Sequence, residues 1–140
     1  MRIDFYVLNS DSADVRLNFA CRLIEKAFRQ NHRIYIQCDD QKEAEAFDDL
    51  LWCFKDDSFI PHNLQGEGPM PPPPVQIGCG GKPSGFNDVF LNLSSNVPEF
   101  YPSFRRVIEL VCGDEKIMAM TREHYKIYRQ HGHLINTHKL

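Results

Sequence analysis

The sequence predicts an α/β fold: a single-domain, three-layer arrangement in which helices flank an open, mostly parallel sheet of about five strands. In the first fifty residues, short runs of β-forming residues alternate with longer helical patterns, as they do in parallel sheets with right-handed crossovers. Hydrophobic residues make up 42% of the 140 residues, enough for one core, so we expect one domain over residues 1–140. No apolar run approaches the roughly 20 residues that a membrane span needs.

The first half of the chain predicts the order strand, helix, strand, helix. Residues 3–8 are rich in β-forming side chains, and residues 33–38 form a second short apolar run. Between them, over residues 13–30, apolar side chains recur at helical spacing. Small polar residues that can cap a helix precede both helical patterns, and they are Ser10, Asp11 and Ser12 for the first, Asp39 and Asp40 for the second.

The second half predicts three more strands and one helix. The strands cover residues 75–77, 88–93 and 105–112, where β-forming residues recur between turn signals. The last helix is predicted to start at Asp114, to run to about His131 and to end at Gly132. The eight residues after Gly132 are expected to form a tail.

The connection between the second helix and the third strand is unusually long and apolar. It contains Phe59, Ile60 and Leu64 and follows Trp52, whereas most connections are about 4–6 residues long. Its prolines fix φ and remove backbone donors, so the segment cannot form a central strand. Two interpretations stay open: a loop folded onto a small satellite core, or a preformed docking surface for another protein.

The last helix carries two stripes at 100° per residue. We expect the core-facing stripe to be Ile117, Met120, His124, Tyr128 and His131. The adjacent stripe is Met118, Arg122, Tyr125 and Arg129, with Lys126 at its edge. This second stripe places two guanidinium groups beside an aromatic ring. It predicts either a solvated basic face or a pocket for an acidic peptide with a free carboxylate.

Charge and composition exclude several classes of protein. A net charge of −3 argues against a protein that binds nucleic-acid phosphates directly. The five cysteines are odd in number and lack zinc-ligand spacing, so we expect reduced, buried thiols and neither a metal site nor a cofactor. The N-terminus enters a strand pattern directly, without a signal peptide. These features predict a cytoplasmic chain.

The Gly-rich segment 78–85 follows a predicted strand and invites comparison with phosphate loops. The spacing before Lys82 is wrong for such a loop, and Pro83 stands where the hydroxyl residue should be. The architecture is therefore Rossmann-like but without a phosphate loop. A nucleotide-binding α/β enzyme that uses segment 78–85 is kept as the alternative function. No pair of thiol and imidazole is placed together by its spacing, so no catalytic residue is predicted.

Several segments together resemble the chi-subunit family of bacterial DNA polymerase III, over nearly the whole chain. The most specific segment is Leu51-Trp52 followed by Ser58 to Leu64 and Gly66 to Pro69. The second is Arg122 to Arg129, followed by Gly132, Asn136 and Thr137. The opening strand, Asp4 to Leu8, fits as well.

The resemblance implies a non-catalytic adaptor of the clamp-loader assembly, acting in DNA replication. Such proteins bind the psi subunit through one surface and the acidic C-terminal tail of single-stranded DNA-binding protein (SSB) through another. Matched by motif, the psi-facing residues here are Trp52, Phe59, Pro61 and Leu64. The SSB-tail residues are Arg122, Tyr125, Lys126, Arg129 and Thr137. The psi surface of the family also accepts a helicase.

The chain departs from the family pattern in three places. The prolines Pro71 to Pro74 and the glycine cluster Gly78 to Gly81 are not part of the family pattern, so the resemblance does not imply the path of the loop there. His124 stands where the family pattern has a basic residue. The helical count places His124 on the core side, so we expect the tail pocket to survive the change.

Overall fold

A computed structural model describes residues 1–68, 70–81 and 83–140, and it confirms the α/β class with an open parallel sheet. The seven strands, β1 to β7, are Arg2–Val7, Ile34–Gln37, His62–Leu64, Val75–Gly78, Val89–Asn92, Arg106–Val111 and Ile135–Lys139. The helices, α1 to α3, are Ala13–Arg29, Gln41–Cys53 and Glu115–Gln130, and a 3-10 turn covers Tyr101–Ser103. All strand pairs are parallel, in the order β3-β4-β2-β5-β6-β1-β7. None of the helices described is both long and apolar enough for a membrane crossing.

The strand count is seven rather than the predicted five, and both additional strands are at the edges of the sheet. β3 has only three residues and follows Pro61 directly, so it carries little β signal. β7 occupies most of the segment expected to be a tail. Its sequence is largely polar because an edge strand has one side exposed to solvent, and this hides it from a pattern based on apolar residues.

The sheet separates two apolar cores. One core lies under α1 and α2, where Ile36 of β2 packs with Ile24 and Leu51. On the opposite face, Tyr35 belongs to an aromatic core together with Tyr128 of α3. Successive strand residues point to opposite faces, so Tyr35 and Ile36 divide between the two layers as a doubly covered sheet requires.

The helix starts follow the predicted caps. Side-chain oxygens of Ser12, Asp40 and Asp114 accept backbone N–H groups three residues further on, at 3.3, 2.8 and 3.0 Å. Each bond satisfies one of the free donors in the first turn of its helix. Gly132 has φ +85°, the left-handed conformation that ends a helix and that glycine adopts most easily.

The crossovers place α3 and the long connection at opposite edges of the sheet. From β1 the chain runs through α1 to β2, while from β6 it runs through α3 to β7 in the other direction along the sheet. α3 therefore packs against β6 and β7. α2 packs against β3 and β4, which brings the connection 54–61 to the β3 edge.

Two candidate partner-binding surfaces

A cavity of about 200 Å³ lies between α3 and the β7 edge of the sheet. Central strands supply its apolar floor through Phe5, Val7 and Val111. Its walls come from α3, with Met118, Thr121, Arg122 and Tyr125, and from β7, with Thr137. The cavity is thus an apolar cleft with one guanidinium group and two hydroxyl-bearing walls. We call it the α3 cavity.

Strand pairing brings the far end of the chain to this cavity. Thr137 of β7 lies in register beside Phe5 of β1. The ring of Tyr125 packs edge-on against the ring of Phe5, with centroids 5.4 Å apart. This arrangement positions three of the residues predicted from the family motif, Arg122, Tyr125 and Thr137, around one opening.

The other two predicted residues differ in their relation to the cavity. Arg129 lies at its rim, because its guanidinium carbon is 6.0 Å from the centre of the Tyr125 ring and its Nη1 is 3.5 Å from the Tyr125 hydroxyl. Lys126 is outside the lining, and its Nζ lies 3.2 Å from Glu123 Oε1. Among the described residues, neither Arg122 nor Arg129 has a carboxylate within ion-pair distance.

The predicted core stripe of α3 is correct at its centre but not at its ends, since Ile117 and Met120 are only half-buried. His124 and Tyr128 are buried, and Thr121 is buried beside them, but His131 is exposed. His124 faces the core as expected, since its Nδ1 donates to Glu109 Oε1 and its Nε2 donates to the Ser95 carbonyl, each at 2.9 Å. His124 is therefore not among the residues that line the α3 cavity.

The second surface is a pair of exposed aromatic rings beside the β3 edge. Trp52, near the end of α2, and Phe59, in the connection, are 46% and 71% exposed. Their ring centroids are 5.6 Å apart, and the ring of His62 lies 4.0 Å from that of Trp52. The structure thus brings two of the predicted psi-facing residues into one aromatic patch, which we call the Trp52–Phe59 patch.

The connection under this patch is anchored on both sides of Phe59. Ser58 donates a hydrogen bond to Glu25 of α1, and this bond lowers the pKa of the Glu25 carboxyl. Ile60 is 2% exposed and belongs to the core under α1 and α2. His62 Nδ1 contacts the Ile60 carbonyl at 2.6 Å. The patch therefore combines features of both interpretations, since it is anchored in the core and exposes its rings.

Pro61 and Leu64 contribute less exposed surface than the two rings. Both are half-buried, and Leu64 packs against the core under α1 and α2. His62 also lies 3.2 Å from the Asp48 carboxylate, so it is a buried, hydrogen-bonded residue at the start of β3. Pro69, part of the motif that carries the family resemblance, lies outside the described residues.

The Gly-rich segment has a structural role where it is described. A Cβ on Gly78 would lie 2.4 Å from Gln65 Oε1 and 2.5 Å from the Tyr35 hydroxyl, so a side chain there would displace both groups. Gln65 Nε2 also donates to the Gly81 carbonyl at 2.9 Å. No helix occurs in the described residues between β4 and β5, so a phosphate would meet no helix N-terminus there. Lys82 lies outside the described residues.

The cysteine thiols are mostly interior groups. Cys21, Cys38 and Cys112 are buried, whereas Cys53 is exposed and Cys79 half-exposed. Burial raises the pKa of the Cys21 and Cys38 thiols to about 12. A thiol with such a pKa stays protonated near neutral pH and is a poor nucleophile. The expectation of buried thiols therefore holds for three cysteines out of five.

The floor of the α3 cavity could not be assigned to a site from the sequence. Phe5, Val7 and Val111 belong to strands that were predicted, but no signal in the sequence assigned them to a site. Their role depends on β7 pairing with β1, and strand order cannot be derived from apolar periodicity. Thr121 was missed because its hydroxyl bonds to the Ile117 carbonyl at 2.7 Å, which lets a polar residue occupy a buried helix face.

Comparison with known proteins gives the family of the chain. The model of the family described as DNA polymerase III chi subunit, HolC, matches residues 1–136. A protein of Pseudomonas aeruginosa named DNA polymerase III subunit chi is 39% identical over 139 residues, which cover 99% of this chain and 96% of the relative. Proteins of the same name from Escherichia coli and Haemophilus influenzae are 33% and 31% identical, and each alignment covers 95% of this chain and 94% and 93% of the relative. The chain therefore belongs to the DNA polymerase III chi subunit family.

Proposed function

We propose that this replication accessory subunit is a non-catalytic, cytoplasmic adaptor that binds the psi subunit and the acidic C-terminal tail of SSB within the clamp-loader assembly. The observation that carries the proposal is the α3 cavity, where Arg122, Tyr125 and Thr137 meet around an apolar floor. An apolar cleft with a cationic rim suits a peptide that is acidic along its length and apolar at its end.

The tail site would bind the peptide through two kinds of interaction, charge attraction and apolar contact. The cations of Arg122 and Arg129 would steer an acidic tail toward the cavity and raise its association rate. The floor of Phe5, Val7 and Val111 would accept the terminal apolar side chains. Each tail would bind modestly, and the several tails of SSB would add avidity. In this arrangement Lys126 contributes less than Arg122, because it already has a carboxylate partner.

The psi site would be the Trp52–Phe59 patch. Aromatic anchors supply large contact areas at protein interfaces, and a fixed backbone reduces the entropy lost on binding. Both conditions hold here, since the rings are exposed and the flanking Ser58 and Ile60 are anchored. Pro61 and Leu64 would shape the border of the patch. A helicase that uses the same patch would compete with psi.

A calorimetric titration with an SSB C-terminal tail peptide tests the tail site. We expect the parent chain to bind and the Arg122→Ala and Tyr125→Ala variants to lose at least about tenfold in affinity, a factor that corresponds to about 1.4 kcal/mol. Lys26→Ala removes one exposed cation from α1 and serves as the charge-matched control. Absence of peptide binding by the parent chain would contradict the proposed tail site. Equal weakening by Lys26→Ala would reduce it to a nonspecific charge effect.

A further inference from the structure

A second cavity, of about 380 Å³, opens at the carboxyl edge of the sheet. β1 and β6 are neighbours, yet the connections after them run in opposite directions, to α1 and to α3. Open α/β sheets bind ligands in the crevice at such a switch point. The cavity shares no lining residue with the α3 cavity. It is therefore separate from both proposed partner surfaces.

The wall of this cavity is mainly apolar. Leu17 from α1, Phe47 from α2, and Ile117 and Met120 from α3 line it. Ile117 and Met120 were expected to face the core, and they are half-buried because they face this opening instead. A volume of this size lies within the range of small-molecule sites, and an apolar wall with a few polar groups is their usual composition.

A buried arginine lines the same cavity. Arg16 is 5% exposed, and its Nε donates to the Leu110 carbonyl at 2.8 Å. Its Nη2 is buried and has no hydrogen-bond partner among the described residues. Burial lowers the pKa of Arg16, although the charges of Glu109 and Asp39 oppose that change. A buried donor without a partner is uncommon in proteins, and an ion or ligand that accepts from it is one way to satisfy it.

The remaining charged groups of the lining are more exposed and mostly acidic. Asp39, Glu43 and Asp114 contribute carboxylates, and Lys116 contributes one ammonium group. Asp39 Oδ1 accepts from Ser95 N at 2.6 Å, and Asp114 Oδ2 accepts from Ile117 N at 3.0 Å, so both carboxylates are fixed. A purely anionic ligand would be repelled by these three carboxylates. A purely cationic ligand would leave the donor of Arg16 unpaired.

We propose that this cavity binds an apolar α-amino acid. Its carboxylate pairs with Arg16, its ammonium group lies among the carboxylates of Asp39, Glu43 and Asp114, and its side chain packs against the apolar wall. A zwitterion with an apolar side chain matches the three parts of the lining together: one buried donor, an acidic border and an apolar wall. The guanidinium fork of Arg16 suits a carboxylate geometrically.

Titration of the full chain with L-leucine, with NMR chemical shifts as the readout, tests this site. We expect shifts at Leu17, Ile117 and Met120 and a Kd of about 1 mM, as the ligand efficiency of a small molecule allows. Two analogues of leucine serve as comparison ligands: 4-methylpentanoate lacks the ammonium group, and 3-methylbutylamine lacks the carboxylate. Each should bind at least about tenfold more weakly than leucine. If either analogue bound as tightly as leucine, the ligand would not need to be a zwitterion. If leucine caused no chemical-shift changes at Leu17, Ile117 and Met120, the proposed amino-acid site would be wrong.

Two variants separate binding from folding. Arg16→Gln removes the charge and should weaken leucine binding at least about tenfold. Ala46 lines the cavity but is exposed, so Ala46→Phe should fill the opening, abolish leucine binding and leave the core intact. Lys26→Ala on the exposed side of α1 is the control. Unchanged leucine binding in Ala46→Phe would place the amino acid elsewhere. SSB-tail binding should be unaffected by all three changes.

Discussion

His124 and Glu109 form a buried ion pair between α3 and β6, with His124 Nδ1 2.9 Å from Glu109 Oε1. The second imidazole nitrogen, Nε2, lies 2.9 Å from the Ser95 carbonyl, which can only accept. The bond to this carbonyl requires a proton on Nε2, and the raised pKa of His124 favours a second proton on Nδ1, toward Glu109. Glu109 accepts two further bonds, from the Tyr128 hydroxyl at 2.6 Å and from Asn92 Nδ2 at 2.9 Å. This network fixes α3 to the sheet beneath the proposed tail site.

Replacing His124 with glutamine should destabilise the fold. Glu109 would remain buried without its cationic partner, and the loss of one partner of a buried pair costs about 3–5 kcal/mol. Urea denaturation of His124→Gln should show a decrease of that size in the free energy of unfolding. Gln130→Ala, at an exposed position of the same helix, should change the free energy of unfolding by less than about 0.5 kcal/mol. Equal stability of the two variants would contradict the buried ion pair.

The same pair predicts how stability depends on pH. Burial opposes the charge of His124, but the hydrogen bond and charge of Glu109 and the Ser95 carbonyl outweigh it and raise the pKa of His124. A raised folded-state pKa contributes stability that is fully present below the unfolded value of about 6.5. That contribution is lost as pH rises through the folded-state pKa.

Denaturation curves at several pH values check this prediction against His124→Gln. The parent chain should lose free energy of unfolding above about pH 6.5, and the variant should lack that component because the titrating group is gone. The other histidines are present in both proteins and cancel in the difference. Parallel pH profiles of parent and variant would show that His124 does not carry the raised pKa.

A second buried carboxylate should hold β7 on the sheet. Asp4 is fully buried and accepts from Arg106 Nε at 2.8 Å and from His138 Nε2 at 2.9 Å. Burial raises the pKa of Asp4, but the bonds to His138, Arg106 and Arg2 outweigh it, so the pKa is lowered overall. A lowered folded-state pKa contributes stability above the unfolded value of about 3.9, and this is lost as pH falls through the folded-state pKa.

Asp4→Asn should therefore loosen β7 as well as lower stability. Hydrogen exchange at the β7 amides should accelerate more than exchange at β2, which lies three strands away from β1 in the sheet. His138→Phe is the matched variant, since it keeps a ring on Tyr6, where the two rings now stack at 4.7 Å, but removes the bond to Asp4. Uniform acceleration across the sheet would indicate global destabilisation instead of release of β7.

Phe59 and Ile60 are adjacent in sequence and should respond oppositely to truncation. Phe59 is 71% exposed and Ile60 is 2% exposed. Phe59→Ala should leave the free energy of unfolding within about 0.5 kcal/mol of the parent, whereas Ile60→Ala should lower it by about 2–5 kcal/mol. Binding to psi, measured by calorimetry, should be lost in Phe59→Ala. Retained psi binding in that variant would exclude the Trp52–Phe59 patch as the psi site.

Binding of the SSB tail should weaken with salt, because exposed charges contribute to it. Raising the ionic strength from about 0.1 M to about 0.5 M shortens the screening length and should lower the affinity severalfold. Arg122→Ala should bind weakly at both salt concentrations, so its salt dependence should be shallower. If the affinity of the parent chain stayed constant in 0.5 M salt, charge pairing would not contribute to tail binding, and only the apolar contacts of the proposal would stand.

The central part of the fold could be predicted from sequence because its signals are local. Ser12, Asp40 and Asp114 were among the predicted caps, and Gly132 ends α3 as expected. The edge strands β3 and β7 were missed because their stability comes from pairing and not from their own apolar content. The five residues of the proposed tail site came from the motif resemblance, but which of them line the α3 cavity depends on how β7 pairs with β1.

The two edge strands also set a distance. Six inter-strand intervals lie between β3 and β7, which at about 4.8 Å each gives about 29 Å. The sheet therefore holds the proposed psi site and the proposed SSB-tail site at its two opposite edges, at a fixed separation. Neither partner would overlap the other or need to bend the sheet. If both proposed sites are correct, one molecule of this protein would join the two partners in a ternary complex whose span is set by the sheet and not by a flexible linker.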